Sequence, residues 1–155
     1  MNDRTPSTAG FSLLEMLCAL AIVGVIAGAS VMAFGGRSDA LGVRAEAQRL
    51  ADRLNLAADE AMLSSEVIAL DLDGEGYRFV VGADDGRSWA PHASPLLGPR
   101  RDAPAGLAFA SSESDLLPIA PGRGGGAAFV VSGSAAAWQV SFDGLAARAA
   151  PVEQD

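Results

Sequence analysis

The sequence predicts an α+β fold in which a long N-terminal helix packs on antiparallel β-sheets. Three observations support this fold class. Residues 16–34 carry no charged side chain, residues 38–63 repeat apolar side chains at helical spacing, and the chain from residue 66 onward consists of short strand-like runs between turn residues. At 155 residues the chain is long enough for one modest domain and an anchor.

The pattern divides the chain into four segments. These are a short polar leader at 1–10, a transmembrane helix at 11–34, an amphipathic continuation of that helix at 35–65 and a β-rich globular domain at 66–155. The apolar stretch from Leu13 to Phe34 has 22 residues, and at about 1.5 Å per residue it spans a bilayer core of about 30 Å. A secretory signal is cleaved after its apolar run, so a run of this length is expected to remain as an anchor.

Four residues within the apolar stretch differ in chemistry or size from the large apolar residues around them. Glu15 would place a carboxylate in hydrocarbon, which is expensive and normally requires a partner. Cys18 is the only cysteine, so no intramolecular disulfide forms, and we expect it to pack as a small apolar residue. Gly24 and Gly28 form a G-x-x-x-G pair that permits close helix approach in lipid, although glycines that only soften the helix are the favoured interpretation.

The segment after the anchor has the periodicity of an amphipathic helix. Its apolar residues recur every three or four positions at Val43, Ala47, Leu50, Leu54, Ala57 and Ala61. The charged residues between them are expected to form a solvated surface: Arg44, Glu46, Arg49, Asp52, Arg53, Asp59 and Glu60. Gly35, Gly36 and Gly42 interrupt the pattern at a cost of about 1 kcal/mol each relative to alanine. The apolar stripe must pack on whatever follows.

The segments that follow have the composition of strands. We predict a hairpin of 67–72 and 77–81 around a turn at 73–76, a short strand at 107–109, two strands at 127–131 and 137–142, and a last strand at 145–149 after a turn at 143–144. Residues 84–106 are rich in Pro, Gly and charge, and they predict a long excursion with few regular elements. Residues 118–126 predict a flexible, glycine-rich loop.

The sequence contains no convincing motif for a metal or cofactor site. Residues 71–76 resemble the start of a calcium loop, but the position that needs a bidentate glutamate is Gly82, so a hairpin turn is the better interpretation. His92 is the only histidine, and one histidine without cysteine neighbours does not make a metal cluster. Residues 122–126 lack the Lys-Ser/Thr end of a phosphate loop. The sequence therefore predicts no metal and no cofactor.

Nucleophilic catalysis and nucleic-acid binding are disfavoured as well. Residues 131–135 come nearest to a G-x-S-x-G nucleophile turn, but they lack both glycines in register. We therefore expect that the protein is not an enzyme. The formal net charge of −8 disfavours partners whose phosphates require Lys and Arg, so no nucleic-acid partner is expected.

The N-terminal junction resembles a known processing motif. Residues 10–15, Gly-Phe-Ser-Leu-Leu-Glu, are similar to the prepilin motif G-F-[ST]-L-[LIV]-E of the type IV pilin superfamily, which an apolar helix follows. The resemblance implies that a membrane-embedded prepilin peptidase cleaves between Gly10 and Phe11 and methylates the new amine of Phe11. It also implies that Glu15 pairs with the amine of a neighbouring subunit, so that its buried charge is compensated only on assembly.

The rest of the chain narrows the resemblance. Several segments are similar to the H-type minor pseudopilins (GspH) of type II secretion systems and their pilus relative FimT: 44–47, 57–61, 76–79, 89–91, 96–100, 105–107 and 140–144. This resemblance implies a pilin-like fold and a structural subunit. The subunit would cross the bacterial inner membrane once, with its C-terminal domain in the periplasm. It would link the tip subunits of the pseudopilus, which are other minor pseudopilins, to the major pseudopilin during export of folded proteins across the outer membrane.

Two other functions remain as alternatives. The first is a FimT-like minor pilin of a type IV pilus or DNA-uptake system, which would present a basic patch to DNA. The acidic C-terminal stretch, residues 149–155, weighs against that patch. The second is an anchored periplasmic enzyme or ligand-binding module. It needs a constellation of polar residues that the sequence does not show, and it leaves Glu15 unexplained.

Overall fold

The structure is a computed structural model that describes residues 13–64, 66–83, 88–112, 114–119 and 126–152, with the side chains of 29–38 excepted. Within these residues one helix, α1 (Leu13–Leu63), precedes nine strands. The strands are β1 (Ile68–Asp73), β2 (Gly76–Gly82), β3 (Trp89–Pro91), β4 (Arg101–Asp102), β5 (Ala108–Ser111), β6 (Leu116–Ile119), β7 (Ala127–Ser132), β8 (Ala137–Phe142) and β9 (Ala147–Pro151). The chain divides into two units, Met1–Gly35 and Gly36–Asp155.

The first unit contains the N-terminal part of α1. All its described side chains, from Leu13 to Gly28, are exposed. Within the part of the chain that the structure describes, no helix is both long enough and apolar enough to cross a membrane. The predicted span at 11–34 includes Phe11, Ser12 and the side chains of 29–34, which lie outside the described residues.

The second unit contains two antiparallel sheets. The first has the order β3-β2-β1-β6, with β4 also pairing with β2, and the second has the order β5-β7-β8-β9. Register in the first sheet aligns Leu70 with both Phe79 and Leu117, and in the second it aligns Phe129 with Val140. The predicted α+β class, with a long helix and antiparallel sheets, is confirmed.

The core of the second unit lies between α1 and the two sheets. The predicted helical stripe is confirmed, because five of its members have no exposed surface: Val43, Ala47, Leu50, Leu54 and Ala57. They pack with aromatic side chains from both sheets, where Tyr77 meets Phe109 edge-on at 5.2 Å between ring centroids. Removal of this apolar surface from water is the main stabilising term for the domain. Gly42 lies inside α1, so its low helix propensity does not end the helix.

The predicted hairpin is confirmed as β1 and β2, and three other predicted strands correspond to β5, β7 and β8. The last strand begins two residues later than predicted. The Asp143 carboxylate accepts hydrogen bonds from the N–H groups of Leu145 and Ala146 at 2.9 Å and 2.8 Å, and Gly144 adopts a positive φ of 92°. This four-residue turn occupies positions that we assigned to the strand.

Two predicted loops contain strands. Residues 84–106 include the short strands β3 and β4, so that excursion is more regular than its composition indicates. The predicted loop at 118–126 is wrong at its start, because β6 extends through Pro118 to Ile119. Proline is tolerated there because β6 lies at a sheet edge, where one face of the backbone needs no donor. Residues 120–125 lie outside the described residues.

Candidate functional site

The predicted cleavage junction lies at the N-terminal boundary of the described chain. Gly10 and Phe11 both lie outside the described residues, so cleavage and methylation there stay predictions. Glu15 is described, and it lies in the first turn of α1 with its side chain exposed. An acid in the first turn interacts favourably with the positive end of the helix dipole. In the sequence, Glu15 lies four positions after Phe11, the predicted new N-terminal residue.

The side chains around Glu15 make an apolar surface. Leu13, Leu17 and Leu20 are 79%, 57% and 66% exposed. A shallow apolar recess of about 260 Å³ lies further along the same helix, lined by Ala21, Ile22, Val25 and Ile26. A contiguous apolar surface of this kind marks a contact with lipid or with another protein. Cys18 lies within it as a free, exposed thiol, so its predicted packing role has no partner among the described residues.

Gly24 and Gly28 are open to a neighbour. A Cβ atom built on either glycine meets no described atom within 4 Å outside the helix's own adjacent backbone. The structure therefore leaves room for a second helix against this face, and it does not decide between the two interpretations of the G-x-x-x-G pair.

In the second unit, Glu46 corrects the prediction of a solvated charged face. Its side chain is only 1% exposed. Arg101 of β4 packs on it and forms an ion pair with it. Arg101 donates to both carboxylate oxygens, at 2.9 Å and 3.0 Å, and Arg49 donates to one of them at 2.6 Å. Burial raises the pKa of Glu46, but the hydrogen bonds and charges of the two arginines outweigh burial and hold that pKa below its ordinary value. The carboxylate is a structural ion.

Arg53 is also not part of a solvated face. Its guanidinium lies 5.1 Å from the ring centroid of Tyr77 and 5.4 Å from that of Phe79. It donates to three backbone carbonyls, at 2.9 Å, 3.0 Å and 3.2 Å, which belong to Leu96, Leu97 and Pro99. Because Leu97 is itself buried, these contacts fix the loop between β3 and β4 on α1.

His92 has a structural position. Its side chain is 3% exposed, and its Nδ1 accepts a hydrogen bond from the N–H of Ser94 at 3.0 Å. A neutral ring with this partner carries its proton on Nε2, which lies 3.6 Å from Oε1 of Glu60. Among the described residues, no group of three or more His, Cys, Asp or Glu side chains could hold a metal ion.

Two of the three acids in the calcium-like segment, Asp71 and Asp73, are bound to arginines. Arg100 donates to both oxygens of Asp73, at 2.7 Å and 2.8 Å, and the N–H of Glu75 donates to the same carboxylate at 2.9 Å. The hydrogen bond from Arg100 is the main cause that lowers the pKa of Asp73. Asp71 pairs with Arg78 across the hairpin at 2.7 Å. The segment is the turn of the β1–β2 hairpin, as predicted.

A surface cavity of about 420 Å³ opens beside β7, β8 and β9. Three of its polar side chains already have partners: Asp143 caps the turn, Ser112 donates to the carbonyl of Ala128 at 3.2 Å, and Ser141 donates to that of Arg148 at 3.5 Å. The described residues that line it include no convergent set of reactive groups.

Comparisons with known proteins agree with the N-terminal prediction. Residues 6–31 match the family model described as the prokaryotic N-terminal methylation motif, and this match includes Gly10, Phe11 and Glu15. No solved structure matches the chain.

Two curated relatives resemble the chain, and both are type II secretion system protein H. The protein from Pseudomonas aeruginosa is 32% identical over 85 residues, which is 54% of this chain and 49% of the relative. The one from Escherichia coli is 33% identical over 82 residues, which is 52% of this chain and 48% of the relative. The chain thus spans about half the length of the curated relatives it matches. These findings confirm the resemblance to H-type pseudopilins that the sequence predicts.

Proposed function

We propose that this chain is a structural, non-enzymatic minor pseudopilin of a type II secretion system. The observation that carries the proposal is the methylation motif at residues 6–31, which extends into α1, where every described side chain from Leu13 to Gly28 is exposed. The resemblance of the chain to two proteins named type II secretion system protein H supports the choice of system. The chain crosses the inner membrane once and carries its β-rich domain, residues 66–155, in the periplasm.

Processing creates the assembly chemistry in this proposal. Prepilin peptidase cuts after Gly10, whose lack of a side chain lets the enzyme approach the backbone closely. The cut exposes the amine of Phe11, which is methylated. Glu15 then pairs with that amine on a neighbouring subunit, so two charges that are costly in hydrocarbon compensate each other only in the filament.

The folded domain has a supporting role in this account. Its polar clusters, such as Glu46 with Arg101, hold strands and loops on α1 and present no reactive group. We therefore assign it surface recognition: it links tip subunits, which are other minor pseudopilins, to the major pseudopilin while folded proteins are exported.

The charge distribution favours this role over DNA uptake. All eleven basic residues are arginines, and the net charge is −8. Six of the described arginines are bound to acids or carbonyls or stacked on aromatic rings within the domain: Arg44, Arg49, Arg53, Arg78, Arg100 and Arg101. Their charge is largely neutralised locally, so it is not available as a phosphate-binding patch.

The cleavage of the precursor tests the proposal. The variant Gly10→Val should accumulate unprocessed in cells that contain prepilin peptidase, because the added side chain blocks access to the backbone. Intact-mass measurement and N-terminal sequencing read the result, and Thr8→Ala in the leader is the matched control, which should be processed normally. An unchanged mature N-terminus in Gly10→Val would contradict the proposal.

A further inference from the structure

The two sheets of the domain have four edges, where the border strands have backbone N–H and C=O groups with no partner strand in the sheet. Strands β3 and β4 both pair with β2 along one edge of the first sheet, β6 lies at its other edge, and β5 and β9 border the second sheet. In an antiparallel pair, alternate residues point their N–H and C=O groups toward the partner strand, and the residues between them point outward. In β4 the N–H of Ala103 donates to Glu75 at 2.7 Å, so Asp102 faces outward and the next outward position is Pro104. An edge with several successive outward groups is a template for another strand.

Proline occupies an outward position in three of these edge strands. In β3 the N–H of His92 donates to Phe79 at 3.1 Å, so the preceding residue, Pro91, faces outward. In β6 the carbonyl of Asp115 accepts from Leu72 at 2.7 Å, and the alternation from that pair turns Pro118 outward. Because proline has no N–H, each of these positions lacks the donor that an added strand would need.

The third proline lies in β9. The N–H of Val152 donates to the carbonyl of Ala137 at 3.0 Å, so Val152 faces β8 and Pro151 faces outward. The same alternation turns Ala147 and Ala149 outward. Proline thus closes the C-terminal end of this edge.

Side chains occupy outward backbone groups in two of the same strands. In β6 the hydroxyl of Ser114 donates to the carbonyl of Leu116 at 2.6 Å and accepts from its N–H at 3.1 Å. In β9 the amide of Asn55, on α1, accepts from the N–H of Ala147 at 2.7 Å and donates to its carbonyl at 3.3 Å. Asn55 therefore makes the two hydrogen bonds that a neighbouring strand would make.

The fourth edge, β5, is engaged by the other sheet. The N–H of Ser112 donates to Ala128 at 3.2 Å, so the alternation turns Phe109 outward, and its N–H donates to the carbonyl of Gly74 at 3.4 Å. Across β3, β6 and β9, no two successive outward positions both offer an N–H to a new strand. The outward residues Trp89 and Ala149 are each followed two positions later by a proline.

We infer that these contacts close the sheet edges to strand addition, so that the domain joins its neighbours through side-chain surfaces and not through backbone pairing. Recognition by strand addition depends on a run of main-chain hydrogen bonds, and the outward groups here offer no such run. The partner that fits is a folded surface of another subunit. The inference rests on the proposed function only for the existence of neighbouring subunits, and the edge chemistry belongs to the chain itself.

The experiment reopens one edge. The double variant Ser114→Ala/Pro118→Val restores two outward donors on β6, and Ser94→Ala/Pro95→Val makes the same changes in the loop between β3 and β4, outside the paired strands. Hydrogen exchange of the outward amide of Leu116, which every variant retains, is followed in the purified full-length chain in detergent micelles, at several protein concentrations. We expect exchange in the edge variant to slow roughly tenfold as the concentration rises, while the wild-type chain and the loop variant do not change.

Two results would overturn the inference. One is exchange of the Leu116 amide that slows with concentration in the wild-type chain, because its edge would then already accept a strand. The other is concentration-independent exchange in the edge variant when circular dichroism shows that it is folded. If the double variant unfolds, each single variant is measured in the same way. Neither readout depends on processing or filament entry, so failure here is distinguishable from failure of the proposed function.

Discussion

The two ends of α1 differ in where they find their packing partners. From Leu13 to Gly28 every described side chain is exposed, although most of them are apolar. From Val43 to Ala58 a stripe of the same helix has almost no exposed surface, because the two sheets of its own chain cover it. The apolar stripe of the second region is covered within the chain, whereas no described part of the chain covers the apolar surface of the first. We propose that the second region serves folding and the first serves assembly.

The largest expected effect is the difference between the two regions in how much a Leu→Ala substitution lowers the free energy of unfolding of the domain. Leu54→Ala removes a buried side chain from the core and should lower the free energy of unfolding by about 2–5 kcal/mol. The same change at the exposed Leu17 should leave the domain's stability within about 0.5 kcal/mol. Urea unfolding of the full chain in detergent, followed by the fluorescence of Trp138 in β8, measures both. If both variants lowered the free energy of unfolding equally, the proposed difference between the two regions would be contradicted.

A smaller effect is expected at the buried ion cluster. Glu46→Ala leaves Arg101 and Arg49 without their shared carboxylate, which should destabilise the domain by about 1–3 kcal/mol because both arginines remain partly exposed to water. Asp52→Ala, on the exposed face of the same helix, is the control and should change stability very little. A loss no larger than that of the control would show that Glu46 behaves as a solvated residue after all.

The same carboxylate predicts a pH dependence. Because the folded-state pKa of Glu46 lies below the ordinary value of 4.5, its contribution is present above about pH 4.5 and is lost as the pH falls through the folded pKa. Asp73 and Asp143 also have lowered pKa values, so they add to the loss of stability in acid. Glu46→Gln should therefore show a shallower loss of stability between about pH 5 and pH 3 than the wild-type chain. Parallel curves for the two proteins would contradict this.

The smallest effect concerns a loop. Arg53→Lys keeps the charge but cannot reproduce a planar guanidinium that stacks on Tyr77 and binds three carbonyls. We expect hydrogen exchange to accelerate in residues 93–100 while that of β7 and β8 stays unchanged. Acceleration throughout the domain would indicate a global loss of stability instead of a local one.

The sequence predicted features that depend on local periodicity. The stripe through Leu50 and Leu54 and the β1–β2 hairpin follow from the pattern of side chains along the chain, whereas the motif at residues 10–15 is identified by its resemblance to the prepilin motif. The burial of Glu46 could not be predicted, because its partner Arg101 lies 55 positions away in a segment with no periodicity. Strand β6 was missed because Pro118 is a strand breaker everywhere except at an edge, and edge position is a property of the tertiary fold.

Incorporation of a Glu15 variant into pseudopilus complexes tests the central claim, which is that the N-terminal region finds its packing and charge partners in neighbouring subunits. Glu15→Ala should be cleaved normally after Gly10 but be largely absent from pseudopilus complexes isolated from cells, because the amine of Phe11 loses its partner. Glu66→Ala, an exposed acid of the folded domain, is the matched control and should enter the complexes normally. Recovery of Glu15→Ala at the wild-type level would contradict the account.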